Sequence, residues 1–213
     1  MGKNAEKARA AKIVALLKQE YPEALCSLTY DKDWHLLFAT RLSAQCTDER
    51  VNMVTPGLFA RWPTLEALAE ADLSELEDAI HSCGFFRSKA RDIKACAAVL
   101  LEKHGGAVPG TMEELLALPG VGRKTANLIL GDIFGQPAIV ADTHCIRISN
   151  KLGLAHTKDP HGVEKELREL IEPAEGSDFC HRLVLHGRAV CTARSPACER
   201  CVLAPLCPSR TNG

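Results

Sequence analysis

The residues best suited to do chemistry lie in residues 115–127, L-L-A-L-P-G-V-G-R-K-T-A-N. Lys124 falls at the start of an expected helix, just after Gly120-Val121-Gly122. Amides in the first turn of a helix lack intrahelical acceptors, so they face outward as an anion site. Glycines on both sides of Val121 permit positive φ and let a backbone or a phosphate come close. Arg123 and Lys124 sit where the helix dipole disfavours cations, by roughly 0.3–1 kcal/mol each. A helix start with a purely structural task would carry Asp or Glu there. The same field favours a lysine amine without its proton, and partial burial would act in the same direction. An unprotonated amine beside an anion site suits nucleophilic attack on a nucleic-acid sugar. The plainer alternative is an αα-corner with a solvated lysine. A P-loop is excluded, because G-x-x-x-x-G-K-[ST] would need glycine at Arg123 and at Leu118.

A second constellation closes the chain. Cys191, Cys198, Cys201 and Cys207 follow the pattern C-x6-C-x2-C-x5-C within seventeen residues. That segment holds too few apolar residues to fold alone, so the thiols point to a metal. Four cysteines suit zinc and equally a 4Fe–4S cluster, and spacing does not separate the two. Disulfides are the remaining reading, disfavoured because no apolar signal segment precedes the cysteines. The other six (Cys26, Cys46, Cys83, Cys96, Cys145, Cys180) are dispersed, as core residues are. Arg188, Arg194, Arg200 and Arg210 surround or interrupt the cluster, against the single acidic Glu199. They form a local basic surface.

Helices must position both constellations. Thr111-Met112-Glu113-Glu114 is a capping box, opening a short helix with Leu115, Leu116 and Leu118 on its apolar side; Pro119 stops it. A second helix runs from Arg123 through Ala126, Leu128, Ile129 and Leu130. Upstream, a charged amphipathic helix over 5–20 ends at Tyr21-Pro22, and residues 34–45 read as a buried helix. Thr47 is placed to cap the next, which reaches Pro56 or a little beyond. Residues 64–80 carry six acidic and no basic side chains, a solvated helical face. Gly84-Phe85-Phe86 is a short loop before an amphipathic helix that Gly105-Gly106 closes. Gly135-Gln136-Pro137 reads as a domain crossing, followed by helices over 144–152, 161–172 and 178–190. Asp142-Thr143-His144 precedes the first of these, where an aspartate more commonly caps. No stretch reads as a strand, so the fold class is all-α.

Composition bounds the rest. The 213 residues suffice for one large or two small domains, and 46% hydrophobic with 25% charged residues are globular values. A net charge of −1 carries no bulk nucleic-acid signature, so a DNA reader must gather its cations on one face. No run approaches the about 18 apolar residues of a membrane helix, and Glu6 stands where a myristoylation signal needs Ser or Thr. Ten cysteines without a secretory segment point to a reducing, cytoplasmic compartment.

Three segments together resemble one family, the bacterial endonuclease III group of helix-hairpin-helix DNA glycosylases. They are L-P-G-V-G-R-K-T-A-N-L-I-L (118–130), V-A-D-T-H (140–144), and L-H-G-R-A-V-C with the cysteine tail (185–207). L-S-A-Q-C-T-D-E-R-V-N (42–52) and G-F-F-R-S-K-A-R-D-I (84–93) are similar too, so the resemblance runs almost end to end. It implies two helical lobes with DNA between them: a six-helix domain with the hairpin over 26–136, and a 4Fe–4S domain joining 1–25 to 137–213. By this resemblance Lys124 is the nucleophile, Asp142 the carboxylate that activates it, and the four tail cysteines the cluster ligands. Gln45 and Phe85 fall on the family's intercalating positions, with His144 a neighbour. Gly120, Val121, Gly122, Arg123, Arg194 and Arg200 become DNA contacts. Phe85 departs from the leucine expected there, which bears on the geometry of the wedge.

The function implied is base-excision repair by a monomer acting on double-stranded DNA with a damaged base or abasic site. It would remove oxidised pyrimidines through a lysine Schiff base and cut the strand by β-elimination. A monofunctional glycosylase using water, or a non-enzymatic DNA-binding metal module, are the alternatives.

Overall fold

The computed structural model describes Gly2–Thr211. Met1, Asn212 and Gly213, the outermost residues of the expected cluster domain, lie outside the described residues. Among those described there is no strand, and no helix is long and apolar enough to cross a membrane. The chain divides into two compact units, Cys26–Phe134 and Met1–Leu25 with Gly135–Gly213.

The first unit is built on α2 (Asp33–Leu42), whose residues are all buried except Asp33 and Arg41. Such a helix carries apolar residues all round and needs partners on several sides. It finds them in α3 (Asp48–Arg61), α6 (Phe86–His104) and α8 (Arg123–Asp132). α2 stops at Leu42 instead of reaching Gln45, because Ser43–Gln45 turn away and Gln45 takes φ 55°. Thr47 caps α3 by accepting from Arg50 N–H, as expected. α3 continues through Pro56 to Arg61, since buried Leu58 and Trp62 anchor its last turn. The acidic stretch 64–80 folds as α4 (Leu65–Glu70) and α5 (Leu73–Ala79), not as one face. Asp72 interrupts it by capping α5 at the amides of Ser74 and Glu75. α6 is closed by left-handed Gly105, and Gly106 N–H returns to the Leu100 carbonyl at 2.9 Å. α7 (Met112–Leu116) completes the unit.

The second unit joins the N-terminal α1 (Lys3–Glu20) to α9 (Thr143–Lys151), α10 (Pro160–Leu170) and α11 (Gly176–Ala189). α1 buries Ala10, Ile13, Val14 and Leu17 against α10 and α11. Arg9 fixes it further: its guanidinium donates to the carbonyls of Leu152 (2.7 Å), Gly153 (3.0 Å) and Leu206 (3.3 Å). One side chain thereby satisfies the end of α9 and the cysteine tail together. Among the described residues the tail holds only two single 3₁₀ turns, Cys198–Arg200 and Ala204–Leu206, and Leu203 is its sole fully buried apolar residue.

Candidate active site

The hairpin forms as its sequence dictates. Thr111 Oγ1 accepts from Glu114 N–H and donates to Glu114 Oε2 at 2.6 Å, so Glu114 reaches back to the cap's hydroxyl and not to its backbone N–H as a full capping box would. Leu115 and Leu118 are buried, but Leu116 is 42% exposed, so it does not belong to the apolar side as expected. The two glycines do different work. Gly120 has φ +74°, and a Cβ there would lie 2.7 Å from Asp92 Cβ. Below it Arg41 of α2 pairs with Asp92 of α6 through Nη2 (2.6 Å) and Nε (2.7 Å) to one carboxylate oxygen. Gly122 has φ −103°, an extended backbone open to any residue, and a Cβ there would meet nothing within 4 Å. The fold does not require glycine at 122; the space in front of it is open.

α8 begins at Arg123 with no side-chain cap and no acidic residue in its first turn. Its first backbone bond runs from Ala126 N–H to the Gly122 carbonyl at 2.9 Å. Lys124 is exposed in this turn. Val121 is half-buried and Arg123 exposed beside it. The arrangement offers outward amides, two cations and an open approach, which together can hold a phosphate and present an amine to the adjoining sugar.

Asp142 is the N-cap of α9: its Oδ1 accepts from Cys145 N–H at 2.7 Å, while Oδ2 takes no partner among the described residues. His144, two residues on, is half-buried; Arg147 Nη2 lies 3.3 Å from its Nδ1. Gly187 of α11 makes room for that ring, since a Cβ there would meet Nδ1 at 2.3 Å.

Gln45 and Phe85 are exposed, Phe85 by 67%. A core role for Phe85 is thereby excluded. Both have left-handed backbones, φ 55° and 46°, and no other non-glycine described residue has positive φ. Sequence gave no sign of this, because neither residue type favours that region. It gave no sign of Lys89 either. Wholly buried, Lys89 donates from Nζ to the carbonyls of Leu42 and Cys83, each at 2.8 Å. On a helix pattern a lysine reads as solvent-facing.

The four tail thiols are unpaired and lie within electrostatic reach of one another. Burial raises the pKa of Cys191 and Cys201, whereas a hydrogen bond from the Thr211 hydroxyl lowers that of Cys198. Buried His186 places Nε2 3.3 Å from Cys201 Sγ and Nδ1 3.1 Å from the Tyr21 hydroxyl. Four thiols gathered in one short segment are a donor set that a 4Fe–4S cluster takes, and they fit it. Arg194 is exposed. Arg200 is exposed too, but its Nη2 donates to the Ala189 carbonyl at the end of α11, so part of its guanidinium serves the fold.

Residues 38–173 match the profile of the HhH-GPD superfamily base excision DNA repair protein, and residues 191–207 that of the iron-sulfur binding domain of endonuclease III. Endonuclease III of Synechocystis sp. is 51% identical over 205 residues, 96% of this chain and 94% of its own. That of Escherichia coli K12 is 40% identical over 202 residues, 94% and 95% of the two chains. A solved non-covalent endonuclease III–DNA complex superposes with a TM-score of 0.91 at 42% identity, covering 95% of each chain. A trapped endonuclease III–DNA covalent intermediate gives 0.89 at 40%, covering 98% of this chain and 97% of that one. With its hairpin, its cysteine tail and near end-to-end similarity to these proteins, the chain belongs to the endonuclease III family of base-excision DNA repair proteins.

Proposed function

We propose that Lys124 is the nucleophile with which this protein excises damaged bases and cuts the strand. The chain is a DNA glycosylase and abasic-site lyase of base-excision repair, and it binds DNA. The observation that carries the assignment is the exposed lysine in the uncapped first turn of α8, with open space in front of Gly122. A relative trapped as a covalent DNA intermediate supports an amine nucleophile in place of water.

A base inside the duplex is out of reach and must be extruded, at a cost of a few kcal/mol that damage lowers. Hairpin amides, Arg123 and exposed Arg194 hold phosphates and set the register without reading sequence. In this reading Phe85 enters the stack and the Gln45 amide, donor and acceptor at once, meets the unpaired partner base. His144 is a further DNA contact in this reading. The unprotonated Lys124 amine then attacks C1′. The Nζ–C1′ bond forms, and the N-glycosylic bond breaks with its electron pair leaving on the base. Asp142 takes the proton the amine sheds. The C1′–O4′ bond then breaks with its electron pair on O4′, which takes the proton from Asp142, and C1′ becomes a Schiff base with Nζ. A C2′ proton passes to water, and the 3′ phosphate leaves with the C3′–O electron pair. Cys191, Cys198, Cys201 and Cys207 would hold the 4Fe–4S cluster, which would supply iron–thiolate bonds that order the tail.

The substrates in this proposal are oxidised pyrimidines and abasic sites in double-stranded DNA. The protein acts as a monomer in the reducing cytoplasm, at the nucleoid and away from membranes; the ten unpaired cysteines support that compartment. Borohydride treatment with abasic-site DNA tests the nucleophile. Wild type is expected to give a covalent adduct, and Lys124→Ala to give none while still binding the DNA. Full trapping by the variant would move the nucleophile elsewhere.

A further inference from the structure

We propose that Lys89 is a positioning residue for base extrusion, its ammonium fastening together the two loops that present Gln45 and Phe85. The inference rests on the reading of those two residues as the ones that enter the stack.

Lys89 lies on α6 with no solvent exposure. Lysine is almost never wholly buried unless its charge has partners. Here the partners are two carbonyls at chain breaks. Leu42 is the last residue of α2, three before Gln45, and Cys83 closes the single 3₁₀ turn His81–Cys83, two before Phe85. Each carbonyl lies at the C-terminal end of a helical segment, where acceptors lack donors and the local field favours a cation. One ammonium, with three donors around a point, satisfies both and bridges segments far apart in sequence. Its main chain holds the second loop as well: Lys89 N–H donates to the Phe85 carbonyl at 3.2 Å, beside Ser88 Oγ at 3.0 Å.

Both loops carry strain. Gln45 and Phe85 sit at φ 55° and 46°, a region side-chain-bearing residues avoid. Such conformations persist only where their surroundings over-determine them. The strain is not the result of burying these side chains, because both project outward and Phe85 is 67% exposed. Burial pushes the Lys89 pKa down, opposed by the nearby Cys46 and Cys83 thiols, so the fold bears a cost to keep this charge where it is. A lysine serving only the core would be replaceable by an apolar residue; one that sets the spacing of two loops would not.

The test is a ratio measured on one preparation: excision of a damaged base still stacked in the duplex, divided by β-elimination at a preformed abasic site. Unfolded protein contributes to neither rate, so any loss of folded fraction cancels. Lys89→Met is expected to lower the ratio by about tenfold or more, about 1.4 kcal/mol of extrusion energy. If Lys89→Met does not fold, Lys89→Gln, which keeps donors but no charge, is read in the same way. Phe85→Ala and Gln45→Ala are measured alongside. A ratio lowered by these two and by the Lys89 variant supports the proposal. A ratio lowered by these two but unchanged in the Lys89 variant overturns it and leaves the reading of Phe85 and Gln45 standing. No change in any variant overturns that reading and the proposal with it.

Discussion

Asp142 caps α9 through one carboxylate oxygen, and the proposed chemistry uses the same group. Asparagine and aspartate are equally good N-caps, so Asp142→Asn separates the two roles. Its melting is expected to stay within about 0.5 kcal/mol of wild type, while single-turnover base excision slows by about 10²–10⁴-fold. Asp142→Ala should lose about 1 kcal/mol of stability besides. Near-normal excision by the asparagine variant would reduce Asp142 to a cap. His35 makes a different residue-scale case. Its ring stacks on Phe59 (3.8 Å between centroids, 4° between planes), Nδ1 contacts Asp31, and buried Nε2 has no partner among the described residues. Burial lowers its pKa from 6.5, and Asp31 only partly opposes that. The fold therefore holds the neutral ring while the unfolded chain takes up a proton below 6.5. This contribution to stability is complete above that value and is lost as pH falls towards the folded pKa. His35→Gln cannot titrate, so the wild-type advantage in melting temperature is expected to shrink between about pH 7 and pH 5. An advantage that grows on acidification would mean attraction to Asp31 outweighs burial.

The hairpin between α7 and α8 puts two glycines to separate uses, and substitution should tell them apart. At Gly120 the backbone is left-handed, and a Cβ would strike Asp92, itself held by Arg41. Gly120→Ala is expected to cost about 1–3 kcal/mol of stability, seen as a lower urea midpoint. At Gly122 the backbone is extended and the space open, and serine is at least as good an N-cap as glycine. Gly122→Ser should therefore melt like wild type or slightly higher. It should bind abasic-site DNA more weakly, because its hydroxyl takes the amides a phosphate would use and fills the approach. Unchanged affinity would show that DNA does not come close to this turn. α6 supports the same end of its unit twice, through Asp92 below the hairpin and Lys89 below the other two loops.

At the scale of the molecule, each unit has its own core, and the tail has almost none. Beyond Leu203, it is tied by side chains: Arg9 to Leu206, Arg147 Nη2 to the Cys191 carbonyl at 2.8 Å, and Arg200 to Ala189. Such a segment depends on its metal for order. Cys198→Ser is expected to lose iron and acid-labile sulfide together and to expose the tail to protease, while Cys26–Phe134 stays resistant as its separate core predicts. Full retention of iron and sulfide would assign the ligands differently.

Features that arise from local chemistry were legible in the residues alone. Thr47, Thr111 and Gly105 mark helix ends through hydrogen bonds reaching only a few residues, so their types and spacing sufficed. The hairpin and the cysteine tail were legible for the same reason, each being compact in sequence. Tertiary structure decided whatever depends on partners distant along the chain. It let α3 run through Pro56 because Leu58 and Trp62 are buried, and it broke the acidic stretch where Asp72 could cap. It turned Gln45 and Phe85 left-handed and outward, and buried Lys89 between carbonyls that precede it by 47 and 6 residues. It also set Arg200 partly to work on Ala189 instead of leaving it wholly to DNA. Helical periodicity records which residues can face the core; it does not record when a charge has found enough acceptors there to stay.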